Sequence, residues 1–306
     1  MMTQEQYVRI AGNLMIAKMY SLAACVMLFY DMVITFGEEV EQIWMRKFSL
    51  LTVLYFLNRY LSPLGYIVII VSFHDSTWTK EVCNRYILYP EALKVVTTSV
   101  IGAIFILRLF AIYSRSFFIV LVGSALLAAE LALKIWAFTD GKSIDLPPGL
   151  VGCILVGKRH ARFAVTWIAE LGFDTAIFLL TLWKTFEHNW RLQGNATSLI
   201  NLILRDGVMY YAIIFVANLV TVLIFMLAPP DIKAINASFS TLITSLMVSR
   251  LILNLRSAST LSGPDTNVLM QGITTTNDDM PSYHFARHTQ AHDELQSRFT
   301  NASGDK

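Results

Sequence analysis

An arginine in the middle of a long apolar run is the feature that most constrains this chain. The run extends from Phe48 to Phe73, and Asn58, Arg59 and Tyr60 lie at its centre. A run of this length can cross a bilayer as a helix, which takes ~20 residues at about 1.5 Å each. Arg59 would then lie near the bilayer midplane, where an arginine costs at least ~2.5–3.5 kcal/mol unless it is paired or solvated. We therefore expect Arg59 to face other helices or water, and not lipid.

Composition indicates that the bilayer surrounds much more of the chain than this run. The 306 residues are 55% hydrophobic and 15% charged, with a mean hydropathy of +0.53. Soluble domains are about 45–50% apolar and about 25% charged. A single soluble core could not bury this much apolar surface, whereas a lipid bilayer can surround it. The net charge of +2 is too small to indicate a nucleic-acid partner.

Successive apolar segments predict an all-α, polytopic membrane protein with seven transmembrane helices. We place the spans at about residues 14–36, 48–73, 92–113, 117–138, 163–186, 207–228 and 234–253. Residues 1–13 form a short N-terminal tail without the features of a cleaved signal peptide, so the first span is expected to remain as an anchor. The transmembrane domain covers residues 14–256. Residues 257–306 are rich in small and polar residues, which predicts a disordered tail.

Two cysteines indicate the orientation of the spans, because the distribution of basic residues does not decide it. The two sides carry nine and eight lysine and arginine residues. Cys83 and Cys153 lie in the second and fourth loops, hence on one side, and a disulfide between them would need an oxidising compartment there. Two unrelated thiols are the alternative, and a glycosylation sequence at Asn195 favours the opposite orientation. We favour an N-terminus outside and a cytoplasmic C-terminus, in the plasma membrane or an endomembrane.

Ionisable residues inside the spans define the candidate sites. The candidate intramembrane polar site comprises Arg59, Asn58, Glu130, Glu170 and Asp174, and a candidate charge cluster at the inner ends comprises Asp31, Arg108 and Arg250. Charged residues within a bilayer are expensive and mark binding sites or ion paths, which is one interpretation of the first group. The other interpretation is a structural ion pair that locks helix packing. We predict that Arg59 pairs with Asp174 or Glu130.

The sequence lacks the motifs of familiar enzymes and metal sites. No histidine lies within a predicted span, which argues against an intramembrane metal hydrolase. The seventh span has no lysine for a retinal Schiff base, and Gly-x-Ser-x-Gly, His-Glu-x-x-His and phosphate-loop motifs are absent from the sequence. His284, His288 and His292 are spaced for one helix face, but in a disordered tail we expect them to be solvated. We therefore expect no enzymatic activity, no cofactor and no metal.

Short motifs near the first two spans resemble a known group of sequences. They are Tyr30-Asp31, Glu39-Val-Glu41, Ile43-Trp44, Arg46-Lys47 and Asn58-Arg59-Tyr60. Together they resemble the N-terminal domain of unknown function in a large group of basidiomycete fungal membrane proteins. Similar pieces at 108–113, 205–207 and 250–256 extend the resemblance over residues 14–256. The resemblance implies seven helices and a membrane location, and it implies no established activity.

The receptor-like layout favours a sensor of an unknown ligand, with the lipid bilayer and a cytoplasmic signalling partner as expected partners. The third span ends without Asp-Arg-Tyr and the seventh lacks Asn-Pro-x-x-Tyr, so the similarity to G-protein-coupled receptors is one of layout only. The alternative function is a small-solute or proton transporter that uses Arg59, Glu170 and Asp174. An inverted repeat would favour transport, and none is evident in the sequence.

Overall fold

Long helices make up most of the protein. The computed structural model describes residues 3–75, 77–86, 88–139, 141–143, 147, 149–153, 155–157, 160–191, 199–227 and 235–261. The helices are α1 (Gln4–Ile34), α2 (Phe36–Glu39), α3 (Leu50–Phe56), α4 (Ser62–His74), α5 (Lys80–Tyr86), α6 (Tyr89–Ile112), α7 (Phe117–Phe138), α8 (His160–Arg191), α9 (Leu199–Leu227) and α10 (Ile235–Leu261). A short antiparallel ribbon pairs β1 (Gly141–Ser143) with β2 (Leu155–Gly157). The glycosylation sequence at Asn195 and the histidines of the predicted tail lie outside the described residues.

The described part of the chain contains six helices that are long and apolar enough to cross a membrane. They are Gln4–Ile34, Leu50–His74, Glu81–Ile112, Phe117–Phe138, Arg162–Glu187 and Gly207–Leu227. Large apolar side chains project from their outer faces: Val33, Phe117, Trp183 and Leu227 are between 73% and 82% exposed. Such extensive apolar exposure is unfavourable in water and is expected where lipid covers the surface. The protein is therefore a multi-pass, helical membrane protein.

The helix α10 is not among these six, although it is an integral part of the bundle. It packs against α9, α1 and α6. Leu242, Val248 and Leu251 are at most 2% exposed, and the hydroxyl-bearing Ser240 and Ser245 are equally buried. Because protein surrounds much of this helix, its polar side chains find partners on neighbouring helices and not in lipid.

The helix α1 begins earlier than the sequence predicted. Residues 4–13, which were expected to be a tail, form the first turns of α1. The cause is a capping box, in which the Thr3 hydroxyl accepts from the Gln6 backbone N–H and the Gln6 side chain accepts from the Thr3 N–H. At the other end of the chain, α10 continues to Leu261, beyond the predicted boundary at residue 256. Residues 262–306 lie outside the described residues.

Two π-helical turns shape the region that contains Arg59. One, Val40–Trp44, continues α2, and the other, Leu57–Leu61, joins α3 to α4. Pro63 follows the second turn and cannot donate a backbone hydrogen bond to the carbonyl four residues earlier, at Arg59. The wider π-helical turn accommodates this interruption, so the helix continues through the proline.

The helices form a bundle in which sequence neighbours are also spatial neighbours. The helix α8 packs between α7 and α9, α9 packs on α10, and α10 on α1, while α6 packs on α7 and α8. Only residues 113–116 connect α6 to α7, and Ser114 and Arg115 adopt the positive φ angles of 52° and 64° that close this reversal. The short connection makes the two helices antiparallel neighbours.

Candidate functional site

Arg59 lies at the centre of the first buried polar group. Its Nε donates to Oε2 of Glu39 at 3.0 Å, and its Nη1 lies 3.4 Å from Oδ2 of Asp31. Its Nη2 donates to the Thr35 hydroxyl at 2.6 Å and to the Met32 carbonyl at 3.1 Å. Arg59, Glu39 and Asp31 are at most 3% exposed. Each guanidinium nitrogen of Arg59 therefore has a partner inside the bundle, as a cation buried in a membrane requires.

The carboxylates of this group have further donors. The Tyr60 hydroxyl donates to Oε1 of Glu39 at 2.7 Å, and Arg250 donates from Nε to Oδ1 of Asp31 at 2.6 Å. Two carboxylates thus meet two guanidinium groups. We call Asp31, Glu39, Arg59 and Arg250 the arginine network. Its positive and negative charges balance, and its buried polar groups donate to and accept from one another, which indicates a structural role.

Asn58 connects the same region to α10. Its Nδ2 donates to the Ser245 carbonyl at 2.9 Å and to the Ser249 hydroxyl at 3.0 Å. The Ser245 hydroxyl donates in return to the Asn58 carbonyl at 3.0 Å. The Ser245 hydroxyl thus gives a partner to a backbone carbonyl of the π-helical turn, and the Asn58 amide nitrogen finds two acceptors on α10. Asn58 therefore fixes α10 against the turn that carries Arg59.

The prediction that Arg59 pairs with Asp174 or Glu130 was wrong. Its partners are Asp31 and Glu39, of which Glu39 was assigned to a loop. The chain stays helical after α1, through α2 and a π-helical turn, so Glu39 follows Asp31 and Thr35 at i,i+4 spacing and reaches the same buried guanidinium. Glu130, by contrast, has an ammonium partner of its own on α7. The predicted intramembrane site is therefore two separate groups.

The second group is built around two buried lysines. Lys134 Nζ lies 2.7 Å from Oε1 of Glu130, 3.3 Å from Oε2 of Glu170, and donates to the Thr98 hydroxyl at 2.8 Å. Lys94 Nζ lies 3.1 Å from the same Glu170 oxygen and 3.0 Å from the ring centre of Trp167. The i,i+4 spacing of Glu130 and Lys134 on α7 brings them to one face. Three helices, α6, α7 and α8, thus share these charges.

Asp174 lies one turn beyond Glu170 on α8 and has a different kind of partner. Asn218 Nδ2 of α9 donates to Asp174 Oδ2, and Ser240 of α10 donates to Asn218 Oδ1. All three side chains are buried. This chain joins α8, α9 and α10, and its donor to Asp174 is an uncharged amide. We call Lys94, Glu130, Lys134, Glu170 and Asp174 the lysine cluster.

A small cavity opens inside the lysine cluster. Its volume is about 20 Å³, and its lining includes Thr97, Thr98, Glu130, Glu170, Asp174 and Thr244. Within the described ranges, Glu130 Oε2 and Thr244 Oγ1 are buried without a hydrogen-bond partner. Unpaired buried polar atoms are costly, and in native proteins they commonly mark a bound water or ligand. This cavity is the candidate functional site.

The predicted inner-end cluster of Asp31, Arg108 and Arg250 is only partly formed. Asp31 and Arg250 pair in the arginine network, but Arg108 lies against α9. Its guanidinium is 5.0 Å from the ring centre of Tyr211. A Cβ atom at Gly207 would lie 2.9 Å from Arg108 Cζ, so the glycine provides the room that this side chain fills. The prediction of one cluster was wrong because the Arg108 face of α6 turns toward α9.

A disulfide and a hydrogen bond hold the connection between α7 and α8 at one end of the bundle. A disulfide joins Cys83 of α5 to Cys153, with a Cα–Cα distance of 5.6 Å. Lys18 Nζ of α1 donates to the Val151 carbonyl at 2.7 Å. We call this end of the bundle the disulfide face. Lys94 lies within the first two turns of α6 and is therefore near the disulfide face. Asp31 lies about 20 Å further along α1 than Lys18 and is therefore nearer the opposite face.

Sequence reasoning missed several members of both groups. Lys94 was not recognised, although its spacing to Thr98 is i,i+4 and both fall within a predicted span. Glu39 was overlooked because it lies among other acidic residues in an apparent loop. Asn218 and Thr244 carry no charge, and no sequence signal distinguishes them from ordinary helix residues. Among the described residues, no three histidine, cysteine, aspartate or glutamate side chains are arranged to hold a metal ion.

Comparison with known proteins identifies a matching region near the N-terminus. Residues 19–64 match the model of a family of unknown function (DUF6533). No curated protein matches the chain. The matched segment covers well under half of the chain, but it contains Asp31, Glu39 and Arg59, three of the four residues of the arginine network. The similarity therefore concerns the region that folds around Arg59 and leaves the lysine cluster outside.

Proposed function

We propose that this protein is a receptor-like sensor with seven membrane-crossing helices and that α10 is the seventh. The burial of α10 between α9, α1 and α6 supports this count, because a helix enclosed by protein needs less apolar surface than one facing lipid. The resemblance to basidiomycete membrane proteins belongs to the same proposal. The DUF6533 match supports it only over residues 19–64.

The orientation that we propose puts the disulfide face outside and the C-terminus in the cytoplasm. The single observation that carries the proposal is the Cys83–Cys153 disulfide, which joins the connection between α7 and α8 to α5. Disulfides form and persist in oxidising compartments. A sensor in the plasma membrane or an endomembrane would then receive its unidentified ligand on this face.

We further propose that the opposite face contacts a cytoplasmic signalling partner and that the protein is not an enzyme. The arginine network would hold α1, the π-helical turns and α10 together there. If the half of the bundle that holds the arginine network is rigid, it would transmit a rearrangement of the half nearer the disulfide face to the connections on the cytoplasmic side. The absence of enzyme motifs from the sequence supports a role in binding.

A transporter of protons or small solutes is the second candidate function. The cavity favours it, because acidic side chains inside a membrane are also how proton relays are built. A transporter would pass protons through reconstituted vesicles, whereas a sensor would not. Vesicles that contain the protein and a pH-sensitive dye should keep an imposed pH gradient as long as empty vesicles do. Faster decay with the wild-type chain than with E170Q would favour transport.

A matched pair of charge reversals tests the signalling partner. Arg115 lies in the connection between α6 and α7, and Arg85 lies in α5 on the disulfide face; both are exposed. Affinity purification of the full chain from its own membranes should recover a cytoplasmic signalling protein. R115E should reduce this recovery several-fold, while R85E should not change it. Equal recovery with both variants, or loss with R85E alone, would contradict the proposed orientation of the sensor.

A further inference from the structure

The lysine cluster has more acidic than basic groups. Among the described residues, Glu130, Glu170 and Asp174 form ion pairs only with Lys94 and Lys134, so full ionisation would leave these five groups with one negative charge in excess, to which Glu91 beside Lys94 would add another. An uncompensated charge inside a membrane bundle is costly. The arginine network offers the contrast, because there two carboxylates meet two guanidinium groups. Binding of a further positive charge would therefore stabilise the cluster.

The cavity also has room for one small molecule. Its volume of about 20 Å³ exceeds the space that a single water needs, roughly 10–15 Å³ on the same measure. Glu130 is 2% exposed and Thr244 is 6% exposed. Their atoms Oε2 and Oγ1, which have no hydrogen-bond partner among the described residues, belong to side chains that line this cavity. A water there would give both atoms a partner.

A hard metal cation fits this site less well than a proton does. Ca²⁺ takes ~6–8 oxygen ligands, and much of the oxygen here is already engaged. Oε1 of Glu130 and Oε2 of Glu170 face Lys134, and Oδ2 of Asp174 accepts from Asn218. A proton needs only one free carboxylate lone pair.

The partners of each carboxylate indicate where that proton resides. Glu130 and Glu170 each have an ammonium group within 3.3 Å, which favours their ionised forms. The donor to Asp174 is the uncharged amide of Asn218. We propose that the cavity is a proton-binding site, in which Asp174 carries the proton and a single water links it to Glu130. The proton comes from solvent at the disulfide face and converts the Asp174 carboxylate to the carboxylic acid.

The other titratable groups around the site come from several helices. The helix α6 contributes Glu91 beside Lys94, and α9 contributes Tyr211, which is within electrostatic range of Asp174. The helix α10 contributes the hydroxyl groups of Thr241 and Thr244. Protonation turns Asp174 from an acceptor into a group that also donates. Proton occupancy therefore alters the hydrogen-bonded chain from Asp174 through Asn218 to Ser240, which links α8, α9 and α10.

The inference rests on the proposed use of this cavity as the functional site, but its test measures binding alone. Infrared difference spectra of the full chain in lipid nanodiscs, recorded between neutral and strongly alkaline buffer, report the carbonyl stretch of a protonated carboxylic acid. We expect a component of this band from Asp174 in the wild-type protein at neutral pH, and we expect D174N to remove that component. D75N is the matched control and should keep it. Asp75 lies outside the spans, and hydrogen bonds from Thr77 hold the pKa of its carboxyl below the usual range.

Three results would overturn the inference. They are a wild-type spectrum without the band, a band that D174N leaves unchanged, and a band that Na⁺ removes at constant pH, which would indicate a cation site. If D174N does not fold, E130Q replaces it: loss of the charged acceptor should shift the band frequency, and an unshifted band would contradict the proposal. Failure of the sensor or transporter function leaves all these spectra unchanged, so the two proposals fail separately.

Discussion

Arg59 donates from Nε to Oε2 of Glu39 at a distance of 3.0 Å, with both side chains buried. Each residue lies at a π-helical turn. Glu39 ends α2, directly before the turn Val40–Trp44, and Arg59 lies within the turn Leu57–Leu61. The pair holds the connection after α1 against the second span. Asp31 and Arg250 extend it to α1 and α10. An apparent loop is thereby part of the packed interior.

Removal of Arg59 should destabilise the protein strongly. R59A leaves the carboxylates of Asp31 and Glu39 buried without their shared cation, and broken buried ion pairs cost about 3–5 kcal/mol. Thermal unfolding of the purified protein in detergent measures the effect. R85A is the control, because the Arg85–Glu81 pair is 82% and 77% exposed and exposed pairs contribute about 0–1 kcal/mol. Equal stabilities of R59A and R85A would show that the arginine network is not structural.

Two substitutions in the lysine cluster should change the unfolding free energy by different amounts. K134M removes the cation shared by Glu130 and Glu170 and should cost about 3–5 kcal/mol of unfolding free energy. D174N should change it by less than about 1 kcal/mol, because an amide can still accept from Asn218 and is uncharged, like the protonated carboxyl that it replaces. The same thermal measurement compares them. A larger loss for D174N than for K134M would contradict the charge assignment.

Close helix packing can be tested at a pair of glycines. A Cβ atom at Gly65 of α4 would lie 3.0 Å from Leu93 Cγ of α6, and closer to its methyl groups. G65A should therefore destabilise by about 1–3 kcal/mol, the usual cost of overpacking. A Cβ atom at Gly172 of α8 meets no atom of the described residues within 4 Å, so G172A should be neutral or slightly stabilising. Similar melting temperatures for the two variants would exclude close contact between α4 and α6.

The disulfide should contribute measurably to stability. It joins residues separated by 70 positions, and native disulfides typically contribute about 2–4 kcal/mol. Reductant should lower the melting temperature of the wild-type protein. The C83S/C153S variant should melt lower from the start and be insensitive to reductant. A wild-type melting temperature that reductant does not change would show that the two sulfurs are not joined in the purified protein.

The helical membrane architecture could be predicted from the sequence because apolar length and composition determine it directly. The six apolar helices correspond to predicted spans, and the short gap between the predicted spans 92–113 and 117–138 fits the packing of α6 on α7. The start of α1 was missed, since Thr3 and Gln6 form a local capping box within a polar segment. Hydropathy measures how apolar a segment is, and it does not detect the hydrogen bonds that cap a helix.

The pairing of charges between different helices could not be predicted, because it depends on how the helices are rotated against one another. Arg59 and Glu130 are both buried, as expected of intramembrane charges. The i,i+4 spacing of Glu130 and Lys134 indicates their pairing from the sequence alone, whereas no such spacing indicates that Arg59 pairs with Glu39. The cavity depends on neutral side chains such as Thr244, whose importance lies in position and not in residue type. A search restricted to charged residues within spans could not have found it.

The location of the two termini tests the proposed seven-helix sensor most directly. Epitope tags at the N-terminus and C-terminus of one full-length chain can be probed with antibody before and after the membrane is permeabilised. We expect the N-terminal tag to be accessible on the outer, or luminal, side and the C-terminal tag only on the cytoplasmic side. Detection of both tags on one side would show that α10 does not cross the membrane and would contradict the seven-helix account.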